Sequence, residues 1–344
     1  MSNIRKVAQL AGVSVATVSR TLKTPDVVSP ETRDKVLAAV EQAGYRPNLM
    51  AIQFRSRRTN NLVVLVPVIA NTFFARVISG IQHTAQAMGY RVLLCNTQGK
   101  PETEREYAEL VHARQADGVI QLRASNPFGE STLAPTAELM PLVNVCEIVE
   151  EASWPTVRID NRAAARAMTD HLISFGHKRI ALIQGPVSSP LTQARMAGYK
   201  DALQAAGLNI ESNLILPGSF TLDSGSLAAE RLIATGNLPT AVFCENDEMA
   251  IGAIQCFRKA GLRIPEDISV AGFDDISFAA YCDPPLTTIA QPAEAFGRHA
   301  VELMAALLEN KRPIQGRHLV LPFELVIRES TAPITVASSA AVLQ

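Results

Sequence analysis

Six short apolar runs recur along the chain beyond residue 60: NLVVLVPVI from Asn61, YRVLLC from Tyr90, DGVIQL from Asp117, RIALIQG from Arg179, TAVFC from Thr240 and ISVAGF from Ile268. Each is rich in β-branched side chains, and the segments between them have helical periodicity. Runs this short and this continuously apolar suit strands buried on both faces, which in turn requires parallel sheets with helices above and below. Roughly 270 residues follow this alternation, too many for one comfortable core, so two α/β lobes are expected. With 47% hydrophobic and 19% charged residues, the chain has the composition of a soluble globular protein.

The first 60 residues differ in charge and in period. They hold ten Lys and Arg against four Asp and Glu, a balance of +6, whereas the whole chain is at −1. A basic head therefore precedes an acidic body, and a basic head is compatible with either a solvated surface or a nucleic-acid partner. Ile4, Val7, Ala8 and Ala11 recur at helical spacing before Gly12. Ser14 suits the cap of a second helix with Val15, Val18 and Leu22 in its inward set and Ala16, Thr17 and Arg20 partly outward. A third helix is expected after Ser29 and Pro30, with Val36, Leu37 and Val40 as its apolar side and Gly44 as its stop. Two short helices across a glycine turn, backed by a third, make a helix-turn-helix candidate; a small helical bundle without a ligand fits the pattern equally well. The small outer surface of the second helix favours close approach to a major groove, with Arg20 long enough to reach a base edge.

In the body, polar residues stand just past several strand runs: Asn71, Asp160, Asn246 and Asp274. Open α/β sheets collect ligands at the carboxyl ends of their strands. Each of these residues also suits a helix cap, and both readings stand at this point.

IRKVAQLAGVSVATVSRTL followed by VSPETRDKVLAAVEQAGYRPN resembles the DNA-binding head of the LacI/GalR family of bacterial repressors. NTFFARVISGI, GHKRIALIQGP, TAVFCENDEMAIGA, EDISVAGFDDI, CDPPLTTIAQP and FELVIRES are similar to the same family in the same order, so the resemblance runs to about Ser330. It implies a small all-α helix-turn-helix head over 1–45, a hinge over 46–60 and an α/β periplasmic-binding-protein-like body of two lobes with parallel sheets over 61–331. The lobes would comprise 61–159 with 290–318, and 160–289 with 319–331, leaving a tail at 332–344. That tail lacks apolar heptads, so no tetramerising coiled coil is expected.

The resemblance also assigns roles. Val15, Ala16 and Arg20 match the positions that read bases; the first two offer apolar contact and Arg20 offers paired hydrogen bonds to guanine. Thr17, Ser19 and the helix amino terminus would meet phosphate. Asn48 opens the hinge, Phe54 stands where the family usually carries a leucine wedge for the minor groove, and Arg55, Arg57 and Arg58 would lie near phosphates. Phe73, Phe74 and Phe220 would wall an effector site in which Arg195, Asn246 and Asp274 grip hydroxyls, joined by Asn71 and Asp160. A rigid donor fork beside a two-oxygen acceptor suits a vicinal diol.

Within the family, the cytidine-responsive repressors of nucleoside uptake and catabolism look most similar. Leu191 and Thr192 stand where purine-binding relatives carry more base-directed polar groups. The partners so implied are double-stranded operator DNA, a cytidine-like nucleoside, a second copy of the chain in a homodimer and the cyclic-AMP receptor protein. The same family fold answering to a sugar or a purine is the alternative, and a solute-binding protein is the alternative from another class. Against the latter stand the basic head and an N-terminus unlike a secretory signal, which together point to the cytoplasm. No apolar run reaches the ~18 residues that would span a bilayer, so no membrane partner is expected. Catalysis is not expected either: G-x-G-x-x-G, G-x-x-x-x-G-K-[ST], G-x-S-x-G and H-E-x-x-H are all missing. His83, His112, His171, His177, His299 and His318 show no metal-like pairing, and Cys95, Cys146, Cys244, Cys256 and Cys282 are odd in number and far apart. Neither a metal, a cofactor nor a disulfide framework is expected.

Overall fold

The computed structural model describes residues 3–46, 58–129, 140–148, 154–309 and 318–334. They fall into two compact units, Met1–Thr59 and Asn60–Gln344.

In the first unit, α1 (Ile4–Ala11) starts at Asn3, whose side chain accepts the Lys6 N–H at 3.0 Å, and stops at Gly12 in the left-handed region. Ser14 Oγ accepts the Thr17 N–H at 3.0 Å and so caps α2 (Val15–Lys23). Pro30, which needs no N–H partner, opens α3 (Pro30–Ala43). Val7, Ala8, Val18, Val36 and Ala39 close the core between them. Two residues expected inside are not: Val15 is 40% exposed and Leu37 47%. Val15 is the first residue of its helix. Thr21 takes the inward place one turn beyond Val18, its hydroxyl satisfied by the Thr17 carbonyl at 2.9 Å. Ala39, three residues after Val36, shares the inward face of α3 with it.

The second unit alternates strands and helices: β1 (Asn61–Val66), α4 (Thr72–Ala87), β2 (Arg91–Asn96), α5 (Pro101–His112), β3 (Gly118–Gln121), β4 (Leu142–Val145), β5 (Thr156–Ile159), α6 (Asn161–Ser174), β6 (Ile180–Gln184), α7 (Pro190–Ala205), β7 (Ile215–Pro217), α8 (Leu222–Ala234), β8 (Ala241–Cys244), α9 (Asp247–Lys259), β9 (Ser269–Ala271), β10 (Thr288–Ala290), α10 (Ala293–Leu308), β11 (His318–Leu321) and β12 (Glu324–Val326). One parallel sheet has the order β11-β5-β4-β3-β1-β2 and the other β7-β6-β8-β9. Strand β1 shows why the sequence specifies a sheet covered twice. Leu62, Val64 and Val66 enter the core beneath α4 and α10, while Val63 and Leu65 point to the opposite face with Trp154 and Val111 of α5.

The chain passes between the lobes after β5, between β10 and α10, and between β11 and β12. β10 and β12 pair with each other antiparallel, Thr288 opposite Val326, and tie two of these passages together. Strand β11 pairs with β5 in the larger sheet, Leu319 opposite Val157. The expected boundary at 318/319 is therefore corrected: residues 319–321 belong to the first lobe, and the crossing falls between Leu321 and Glu324. Among the described residues, no helix is long and apolar enough to cross a membrane.

Candidate functional site

On the head, α2 turns Val15, Ala16, Ser19 and Arg20 outward and leaves Thr17 half-buried. Thr17 is tied to its own helix start: its hydroxyl lies 2.9 Å from Ser14 Oγ. The exposed face is thus small and apolar at its amino end and cationic one turn later. Asn48, Phe54 and Arg55 lie outside the described residues.

In the body, a cavity of about 410 Å³ opens between the lobes at the carboxyl ends of both sheets, a size that admits a small ligand. Asn71, Phe73, Phe74, Arg195, Phe220, Asn246 and Asp274 all line it. Seven of the eight body residues singled out by sequence therefore share one wall-to-wall space. Asp160 does not, and its expected place in the site is corrected: it is exposed, and its carboxylate caps α6 by accepting the Ala163 N–H at 2.9 Å. The strand-end pattern was the same, but here the helix start consumes the side chain. Its neighbour Asn161 faces inward instead and accepts the Arg195 Nε–H at 2.9 Å.

Arg195 is the pivot of the second lobe's wall. It is 3% exposed, lies with its guanidinium carbon 3.6 Å from the centroid of Phe273, and donates through Nη1 to the Glu245 carbonyl. Three anchors leave Nη2 directed at Asp274 Oδ1, 3.8 Å away. That spacing is an ion pair without a tight hydrogen bond, so both groups keep capacity for a third molecule. Asp274 sits at φ +109 and accepts the Gln291 Nε2–H at 2.7 Å. Burial pushes its carboxyl up to about 7, opposed by Arg195 and the Gln291 hydrogen bond.

Asn71 and Asn246 do both of the jobs open to them. Asn71 caps α4 by accepting from the Phe73 and Phe74 N–H groups at 3.0 and 3.1 Å, and its amide donates across the cleft to Glu248 Oε1 at 2.9 Å. Asn246 caps α9 by accepting the Met249 N–H at 2.9 Å, and its amide donates to the Phe220 carbonyl at 3.0 Å. That second bond holds Phe220 at φ +62, with its ring packed where Gly185 leaves no Cβ: one built there would fall 2.0 Å from it. Asn246 acts on the cavity chiefly by positioning an aromatic wall.

Two comparisons with known protein families match this chain: the model for bacterial regulatory proteins of the lacI family over residues 3–48, and the periplasmic-binding-protein-like domain over 169–331. The HTH-type transcriptional repressor CytR of Escherichia coli (strain K12) is 39% identical over 330 residues, 96% of each chain. The HTH-type transcriptional repressor PurR of Photobacterium profundum is 34% identical over 96% of this chain and 98% of that one. The chain belongs to the LacI family of bacterial transcription regulators. Among solved LacI-family structures, the Lac repressor dimer bound to operator and the anti-inducer ONPF superposes with a TM-score of 0.84 at 27% identity, covering 96% of this chain and 99% of that one. The regulator CelR in complex with cellobiose gives 0.72 at 31%, covering 96% and 100%. The relatives are repressors and not enzymes, and this LacI-family member is a DNA-binding transcription repressor.

Several cavity residues of this LacI-family body were not singled out by sequence. Glu147, just past β4, is 7% exposed, and Gln291, Ser189, Arg123 and Glu248 join it on the wall. Asp247, next in sequence to the lining residue Asn246 but itself wholly buried, accepts the Thr288 hydroxyl at 2.6 Å and the Ile276 N–H at 2.8 Å, so it clamps β10 to the start of α9. Glu147 stands at a strand end as Asp274 does. That position alone was the available signal.

Proposed function

We propose that this LacI-family repressor is a cytoplasmic homodimer that binds a two-fold operator through α2 and whose DNA affinity is set by a cytidine-like nucleoside in the cleft. The observation that carries the effector class is the pairing of Arg195 and Asp274, buried and 3.8 Å apart, in a cavity walled by Phe73, Phe74 and Phe220. An aromatic wall takes a flat base; a donor fork beside a two-oxygen acceptor takes a vicinal diol. The relationship to CytR supports the same choice and brings with it the cyclic-AMP receptor protein as a second partner, tested by a cooperative gain in operator binding when both proteins are present.

Calorimetry on the full chain tests the effector. Cytidine is expected to bind about tenfold or more tightly than deoxycytidine, since the missing hydroxyl leaves a buried polar group unpaired at about 1–3 kcal/mol, and Asp274→Ala is expected to remove most of that difference. Binding of cellobiose-like sugars or free purine bases in place of cytidine would refute the nucleoside assignment.

A further inference from the structure

Among the described residues, Glu147 is the one carboxylate that the first lobe contributes to the cavity wall, facing the second lobe's Arg195 and Asp274. It is nearly buried and strongly held: Oε2 accepts the Ala124 N–H at 2.5 Å, and Oε1 accepts the Ser189 hydroxyl at 2.5 Å. Ala124 follows β3 in its own lobe, whereas Ser189 is the cap of α7 in the other. Glu147 therefore sits at a clasp between the lobes as well as on the wall.

Its two anchors are both donors, and each occupies one acceptor position on its oxygen. A carboxylate oxygen has room for a second hydrogen, and an ionised carboxylate has none to give. Among the described residues Glu147 forms no close ion pair; two hydrogen bonds hold it, and the Arg195 guanidinium attracts it across the cavity. A group of this kind in a cavity wall selects for a donor on the ligand and against a carbonyl, because an acceptor placed there faces lone pair against lone pair with water excluded. The second lobe already offers a site for hydroxyls, so the first lobe's contribution falls on the other end of a bound nucleoside, the base.

We infer that Glu147 is a specificity-determining residue that reads an exocyclic amino group on the effector's base and rejects the keto analogue. This inference rests on the nucleoside reading and adds which residue selects the base. A glutamate accepting from an amino group of cytosine is a pairing with sound geometry elsewhere in recognition chemistry. The ligand's amine would make the third donor on Glu147 beside Ala124 and Ser189, so the group that identifies the base also reinforces the contact that holds the lobes together.

The experiment is calorimetry on the full chain with cytidine and uridine, which share the ribose and differ at this amino or keto position. The intact protein is expected to prefer cytidine by about ten- to a hundredfold, the value of one hydrogen bond to a charged acceptor. Glu147→Gln keeps the size and the Ala124 bond but adds an amide donor, and the preference is expected to fall within about threefold, chiefly through a gain for uridine. Glu147→Asp, which keeps the charge, is expected to weaken both ligands and preserve their order. Ser189→Ala is expected to weaken both equally. A cytidine preference that survives in Glu147→Gln overturns the inference, and so does an intact protein that binds both nucleosides alike; in each case the diol reading stands. If neither nucleoside binds, the nucleoside reading itself has failed and this inference falls with it.

Discussion

Asp274 is a buried carboxyl on the cavity wall whose protonation bears directly on the proposed effector contact. Its carboxyl is desolvated, its partner Arg195 is 3.8 Å away, and burial lifts it to about 7. In the proposed complex ligand hydroxyls donate to the carboxylate form, so above pH 7 the acceptor is ready, and below pH 7 a proton must leave before the effector is gripped. Apparent affinity then falls by up to about tenfold for each unit of pH beneath that value. Between pH 8 and pH 6 the effector's Kd is expected to rise about tenfold, with proton release measurable by calorimetry in buffers of different ionisation enthalpy. Asp274→Asn is expected to bind weakly at both values and to lose the slope. A flat profile in the unaltered protein would show that the effector's hydroxyls are not held by this carboxylate. At the same scale, sequence reading succeeded where a residue's position and its direction agree. Asp274 follows the run ISVAGF and faces the cleft. Asp160 follows a strand just as closely, but one residue's rotation at the start of α6 turns it to solvent and gives the inward place to Asn161. Glu147 was missed because its strand, LVNV, was not among the runs read from the sequence, so its place at a strand end went unnoticed.

The elements that frame the cleft pack in pairs, and two of the pairs depend on glycines whose importance the sequence could not show. A Cβ built on Gly297 of α10 would lie 2.2 Å from the Val77 carbonyl oxygen of α4, and one on Gly80 of α4 would lie 2.2 Å from the Glu294 carbonyl oxygen of α10. The two backbones touch through these reciprocal notches. In α8 and α9 the same arrangement recurs with Gly225 against Met249 and Gly252 against Leu222. Helical period and caps were legible from one chain segment at a time; a close approach requires knowing the partner helix, which is over 200 residues away in the first pair. Glycine to alanine ordinarily favours a helix by about 1 kcal/mol, but at Gly297 the contact reverses the sign. Gly297→Ala is expected to destabilise the body by about 1–3 kcal/mol, lowering Tm by about 2 to 10 °C on the scale of a body this size. Differential scanning calorimetry decides it, and an unchanged or raised Tm would mean that the helices separate freely.

At the scale of the whole molecule, head and body are separate compact units, and the cavity proposed for the effector is lined by body residues. Coupling between effector and operator must therefore run through a change in the body that the two states of the protein feel differently; a ligand that bound both states equally would shift nothing. The structure offers elements able to differ: the Asn71–Glu248 and Glu147–Ser189 contacts cross the cleft, and Arg76 Nη1 of α4 donates to the Asp275 carbonyl of the other lobe at 3.0 Å, immediately beside Asp274. The segregation of the two binding functions has a measurable consequence. Arg20 is exposed on α2, so Arg20→Ala is expected to cost about 1–3 kcal/mol on the specific operator, to change binding to random DNA much less, and to leave the calorimetric affinity for the effector as it was. Because a two-fold pair of heads presents two such helices, the operator footprint of the unaltered protein is expected to show two inverted half-sites spaced by whole helical turns, with the Arg20→Ala loss focused on the same base pair in each. An equal loss on specific and random DNA would make Arg20 a phosphate contact, and protection of a single unrepeated site would exclude the symmetric pair.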